Sequence, residues 1–111
     1  MSSAAPRGRV AELNDAFRTS FAGGKVVMSE GVNELPPEVR ANALLLVSQY
    51  RAFDADNDLH GEHEFGSFEL CSRRFFWKID HYDKDLRFGS ENPADPEQTT
   101  RVLTVMLADE Y

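Results

Sequence analysis

The stretch EFGSFELCSRRFFWKIDHY, residues 64–82, decides the fold. Gly66, Phe68 and Leu70 alternate with Phe65, Ser67 and Glu69; after Cys71-Ser72-Arg73, the residues Phe75, Trp77, Ile79 and His81 alternate with Phe76, Lys78, Asp80 and Tyr82. A period of two belongs to an extended chain with one face on a core and the other on water. Two such runs around a short polar break predict an antiparallel hairpin. A tight turn at Asp83-Lys84-Asp85 then predicts a short return strand, LRFGS.

Upstream the period lengthens. In PRGRVAELNDAFRTSF, Val10, Leu13, Ala16, Phe17 and Phe21 share one helical face; Pro6 suits the first turn and Gly23-Gly24 the stop. KVVMSEGV is short and β-branched, bounded by Gly31, and predicts a strand followed by a turn. Pro36-Pro37 introduces a second helix, EVRANALLLVSQYRAF, with Val39, Ala43, Leu46, Val47 and Tyr50 on one face; the extra Leu44 and Leu45 widen its stripe and place it between layers.

Downstream, Asp95 followed by Pro96 and Gln98 has the form of a helix cap, and Val102, Leu103, Val105, Met106 and Leu107 supply an apolar stripe for a final helix. The expected architecture is a single α+β domain over residues 1–111, with residues 1–5 disordered. Its order is α-β-α-β-β-(β)-α, a small antiparallel sheet packed by helices.

The chain has 111 residues, 41% of them apolar, which suits one domain and excludes wholesale disorder. No apolar run reaches the ~20 residues that cross a bilayer, and the first residues lack the apolar core of a secretory signal, so a cytoplasmic location and no membrane contact are expected. The one cysteine, Cys71, has no internal disulfide partner, and reads as a small strand-end residue. Residues 1–50 hold five acids and five bases, so the whole net charge of −7 falls in residues 51–111. That balance disfavours direct binding to a phosphate backbone.

The acids concentrate in DADNDLHGEHEFGSFEL, residues 54–70. Asp54, Asp56 and Asp58 have the spacing that opens a calcium loop, but Leu59 and Phe65 stand where that loop needs glycine and a bidentate glutamate. His60, Glu62, His63 and, from the next strand, His81 have ligand chemistry suited to a divalent transition metal, without the H-E-x-x-H spacing. Glu62, Glu64, Glu69, Asp80, His63 and His81 are candidates for acid–base work. Asp54, Asp56, Asp58, Glu62 and Glu64, with Asp83 and Asp85 from the nearby turn, also make an acidic surface suited to a basic groove on another protein.

Several ordered segments carry a resemblance: LNDAFR, GGKVVMSEGV, FDADNDLHGEHEFGSFEL, FFWKIDHYDKDLRFGSENPADP and TTRVLTVMLADEY. From about Leu13 to Tyr111 the chain resembles the uncharacterised bacterial family catalogued as domain of unknown function three-seven-six-eight. The resemblance implies a small protein typical of alphaproteobacteria and mobile elements. It brings no catalytic residues. Small acidic proteins in that setting block host defence, so the expected function is binding and inhibition of a nucleic-acid-handling host protein such as a CRISPR or restriction component, in the manner of a DNA mimic, without a cofactor. The alternative is a small metal-binding protein or metal-dependent enzyme using His60, Glu62, His63 and His81.

Overall fold

The computed structural model describes residues 6–111; the expectation for residues 1–5 lies outside the described residues. Helix α1 (Pro6–Ser20) leads through Gly23, at φ 93°, into strand β1 (Gly24–Met28). A one-turn helix α2 (Glu30–Asn33), capped by Ser29 Oγ, and helix α3 (Pro37–Gln49) follow. A loop then runs to β2 (Phe65–Leu70), β3 (Arg73–Tyr82) and, after a second loop, β4 (Thr100–Leu107) with a closing 3₁₀ turn (Ala108–Glu110).

The four strands form one sheet in the order β1-β4-β3-β2. The hairpin of residues 64–82 is as the alternation predicts, with Gly66 opposite Trp77 and Phe68 opposite Phe75. β4 pairs antiparallel with β3 and parallel with β1, so the sheet is mixed where an antiparallel one was expected. Phe75, Trp77, Ile79, Leu103, Val105 and Leu107 point to one face, where Phe17 of α1, Val32 of α2, and Ala43 and Val47 of α3 close the core. The α+β class therefore holds, as two layers with helices on one side.

Three expectations need correction. Residues 100–107 are a strand and not the last helix, because Arg101, Leu103, Val105 and Leu107 bury on one side at period two and the β-branched Thr and Val residues favour the pleat. The cap at Asp95 is real but closes a single turn: its carboxylate accepts from Glu97 N (2.9 Å) and Gln98 Nε2 (2.7 Å). LRFGS contributes only one bridge, Tyr82 to Gly89, because Asp83 Oδ1 accepts from Asp85 N and Arg87 N and curls the chain. α3 lies on the outside of the helical layer, with Leu45 51% exposed, and not between layers.

Gly66 is required by packing: a Cβ there would stand 2.5 Å from Trp77 Nε1 and 2.8 Å from Tyr50 Cζ. The β2–β3 turn carries strain, since Cys71 (φ 54°) and Ser72 (φ 63°) both adopt left-handed backbone in a two-residue loop. Asn and Gly are the residues that tolerate this geometry. Replacing Cys71→Asn together with Ser72→Gly is expected to raise the urea midpoint at unchanged slope, by about 1 kcal/mol of stability. An unchanged or lower midpoint would show that the turn is not strained.

Candidate functional site

The acids gather where β3 finishes. Ile79 N donates to the Glu64 carbonyl (2.8 Å), which sets the segment before β2 beside Asp80. The half-buried Glu64 carboxyl is pushed above its usual range by burial first, and then by the charges of Glu62, Asp58 and Asp80, with His60 opposing. Asp83 and Asp85 continue from the same end of β3, in a loop that exposes Leu86 and Phe88. Asp80 belongs to this group; the sequence places it with Glu62 and Glu64 among the acid–base candidates but not on the acidic surface, because its place on the strand opposite the acidic segment is a tertiary relation that spacing does not reveal.

The expected contact residues divide by what their carboxylates already hold. Asp54 Oδ1 accepts from the N–H groups of Asp56 (2.8 Å) and Asn57 (3.0 Å), and Asp58 Oδ1 from those of Glu62 and His63 (both 3.2 Å). Only 9% of the Asp58 side chain is exposed. Asp54, Asp58 and Asp83 thus fold their own loops, an inward role common for short acidic side chains. Asp56 and Asp85 are exposed, and Glu62 and Glu64 half-exposed.

Beneath this surface α1 holds the segment in place. His63 stacks on Phe53, centroids 4.0 Å apart, and its Nδ1 lies 2.9 Å from Asp15 Oδ2. A carboxylate oxygen only accepts, so Nδ1 carries the hydrogen. Arg18 is buried: Nη2 donates to Asp15 Oδ1 (2.8 Å) and Nη1 to the carbonyls of Val47 (2.8 Å) and Tyr50 (3.0 Å), the open end of α3. This cation caps that helix end. A cleft of about 280 Å³ opens here; Asp15, Thr19, Ser48 and His63 on its wall are paired within the chain, as are Nη1 and Nη2 of Arg18, while Arg18 Nε is buried without a hydrogen-bond partner among the described residues.

One turn earlier on α1, Asn14 is fully enclosed and joins three elements. Its Nδ2 donates to the Glu62 carbonyl (2.8 Å); its Oδ1 accepts from Arg101 Nε (2.7 Å) and His81 Nε2 (3.0 Å). Arg101 Nε only donates, which fixes the amide's orientation and puts the His81 hydrogen on Nε2. Burial, followed by the charge of Arg101, lowers the His81 pKa to about 4, with Asp80 opposing. Asn14, Asp15, Arg18 and Arg101 were missed from sequence; the one available signal was polar residues at positions 14 and 18 on the apolar face of the first helix.

His60, Glu62, His63 and His81 do not converge. His60 is exposed in a turn, His63 is turned toward Asp15, and His81 is held by Asn14 on β3. Among the described residues no group of three or more His, Cys, Asp or Glu side chains is arranged to hold a metal ion. No helix there is long and apolar enough to cross a membrane.

Residues 28–110 match the family model described as Protein of unknown function (DUF3768), and the chain belongs to that family. α1, with Asn14, Asp15 and Arg18, precedes the matched stretch. No curated protein and no solved structure matches the chain.

The His81 environment makes stability depend on pH. The unfolded histidine takes a proton near the ordinary value of 6.5 and the folded one only at about 4. Between these values the unfolded state binds more protons, so this contribution is full above 6.5, falls as pH drops, and is gone below about 4. His81→Gln keeps an N–H for Asn14 without the titration. Its urea midpoint is expected to fall less than that of the natural chain between pH 6.5 and about 4; equal falls would show that His81 titrates normally.

Proposed function

We propose that this chain is a binding protein without a catalytic role, which occupies the basic groove of a nucleic-acid-handling host protein, a restriction or CRISPR component. The observation that carries the reading is the grouping of Glu62, Asp58 and Asp80 about Glu64, whose carboxyl pKa is raised by burial first and by these charges second. Like charges held together cost free energy that a cationic partner relieves. Asp56, Glu62, Glu64 and Asp85 make the contacts, while Asp54, Asp58 and Asp83 hold the loops that present them. Phe88, 72% exposed beside them, supplies the apolar anchor that a charged rim by itself lacks.

The mechanism is competitive. Complementary fields speed encounter and select a basic partner, and the bound acids then stand where phosphates would lie. The mobile-element setting implied by the family resemblance is the ground for naming host defence as the partner class.

The test is DNA cleavage by a panel of purified restriction and CRISPR nucleases with the natural chain added. Inhibition of at least one nuclease is expected, weakening as salt rises because exposed charges are screened within ~8 Å at physiological ionic strength. A variant with Asp56 and Asp85 changed to Asn and Glu62 and Glu64 to Gln should lose inhibition at least tenfold. A control neutralised at Glu12, Glu34, Glu38 and Asp109 should keep it. Inhibition that is equal in all three, or absent throughout the panel, would refute the reading.

A further inference from the structure

Among the described residues two arginines are buried, and they are not alike. Arg18 faces the Asp15 carboxylate, so its charge is balanced where it sits. Arg101, on the helix side of β4 and 4% exposed, makes no ion pair among the described residues. Its Nε donates to the Asn14 amide oxygen and its Nη2 to the Pro93 carbonyl, both neutral acceptors, while Nη1 has no hydrogen-bond partner among the described residues. Burial, and after it the charge of Arg9, push its pKa below the ordinary value. A guanidinium stays protonated in proteins all the same. Neutral carbonyls orient such a cation without balancing it, and a buried charge is stable only when paired.

The same residue lines a cleft. About 220 Å³ of space lies between α1 and the turn at Asp95, walled by Leu13, Ala16, Phe17, Ala22 and Pro96, with Arg101 as its one charged group. The Ser20 hydroxyl on this wall is already engaged, donating to the Ala16 carbonyl and accepting from Ala22 N–H. Phosphate, with three acceptor oxygens to satisfy, finds too few donors here. A carboxylate is held by one guanidinium, and a carbon body attached to it gains from apolar walls.

We propose that this cleft binds a small monocarboxylate with an apolar body, of the size of benzoate or hexanoate, its anionic end on Arg101 and its carbon body against Leu13, Phe17 and Pro96. The site is separate from the acids grouped about Glu64, none of which lines it. Because Arg101 also holds Asn14, an occupied cleft reinforces the joint between α1 and β4. A ligand that binds only the folded chain raises its melting temperature by mass action.

Titration of the full chain with benzoate and hexanoate at constant ionic strength, read from the NMR signal of the Arg101 Nε–H and from the melting temperature, tests this. Saturable binding and a raised melting temperature are expected, with affinity at least tenfold above that of benzamide and hexanamide, which keep the body and lose the charge. No saturable binding of either acid, or equal binding of acid and amide, overturns the proposal. Inorganic phosphate that binds as tightly as benzoate shows a bare anion site and overturns the assigned class. Arg101→Gln should bind acid and amide alike. Should that variant not fold, Ala16→Phe, at an exposed position of α1, fills the cleft and leaves the partners of the guanidinium in place. It should weaken binding of the acids at least tenfold; undiminished binding by either folded variant overturns the proposal.

Discussion

A single amide, that of Asn14, must be satisfied in the dry interior, and much of the arrangement follows from how this is done. One side chain gives its hydrogen to the Glu62 carbonyl and its oxygen to Arg101 and His81, so α1, the segment before β2, β3 and β4 are fixed to one another at a point. Breaking any one of these bonds strands a buried polar group at a cost of roughly 1–3 kcal/mol. Arg18, one turn later, repeats the logic with the carbonyls at the end of α3. Together they bind the helical layer to the acidic segment by direction as well as by apolar area, and a network of this kind favours one packing over its near alternatives.

This joint explains why the acidic surface has a shape. Residues 54–64 contain no helix or strand, yet Asp54 and Asp58 take up neighbouring N–H groups and His63 is clamped between the Phe53 ring and Asp15. The backbone of Glu62 and Glu64 is therefore held, by Asn14 and by Ile79 N–H, and is not on a tether. Preorganised charge of this sort costs less ordering entropy on binding than a disordered acidic tail does.

The parts legible in the sequence were those with one period only. The 64–82 hairpin alternates cleanly, and α1 and α3 each open on a proline and carry a helical stripe, two signals that agree, although α3 ends at Gln49, short of the Phe53 that its expected stretch reaches. TRVLTVML is different: its apolar residues at 102, 103, 105, 106 and 107 satisfy a helical stripe, while those at 103, 105 and 107 satisfy a strand, and the cap signal at Asp95 tipped the reading the wrong way. What decides the matter is the company of β1 and β3 on either side, which no local window contains. The site was legible as composition and not as geometry. Spacing marks Asp54, Asp56 and Asp58 as equals, whereas Asp54 and Asp58 accept from N–H groups of their own loop and, of the three, Asp58 alone is largely buried.

The position of β4 has a consequence for how the protein is made. Among the described residues it is the last of four strands and the one that touches both β1 and β3. Until residues 100–107 leave the ribosome, β1 has no strand beside it and the β2–β3 hairpin has only the helices to pack on, so each keeps an uncovered strand edge. A hairpin alone is marginally stable at best in water. Synthesis thus passes through a stage in which the elements from α1 to β3 are present and the sheet cannot close, and exposed strand edges of that kind favour aggregation.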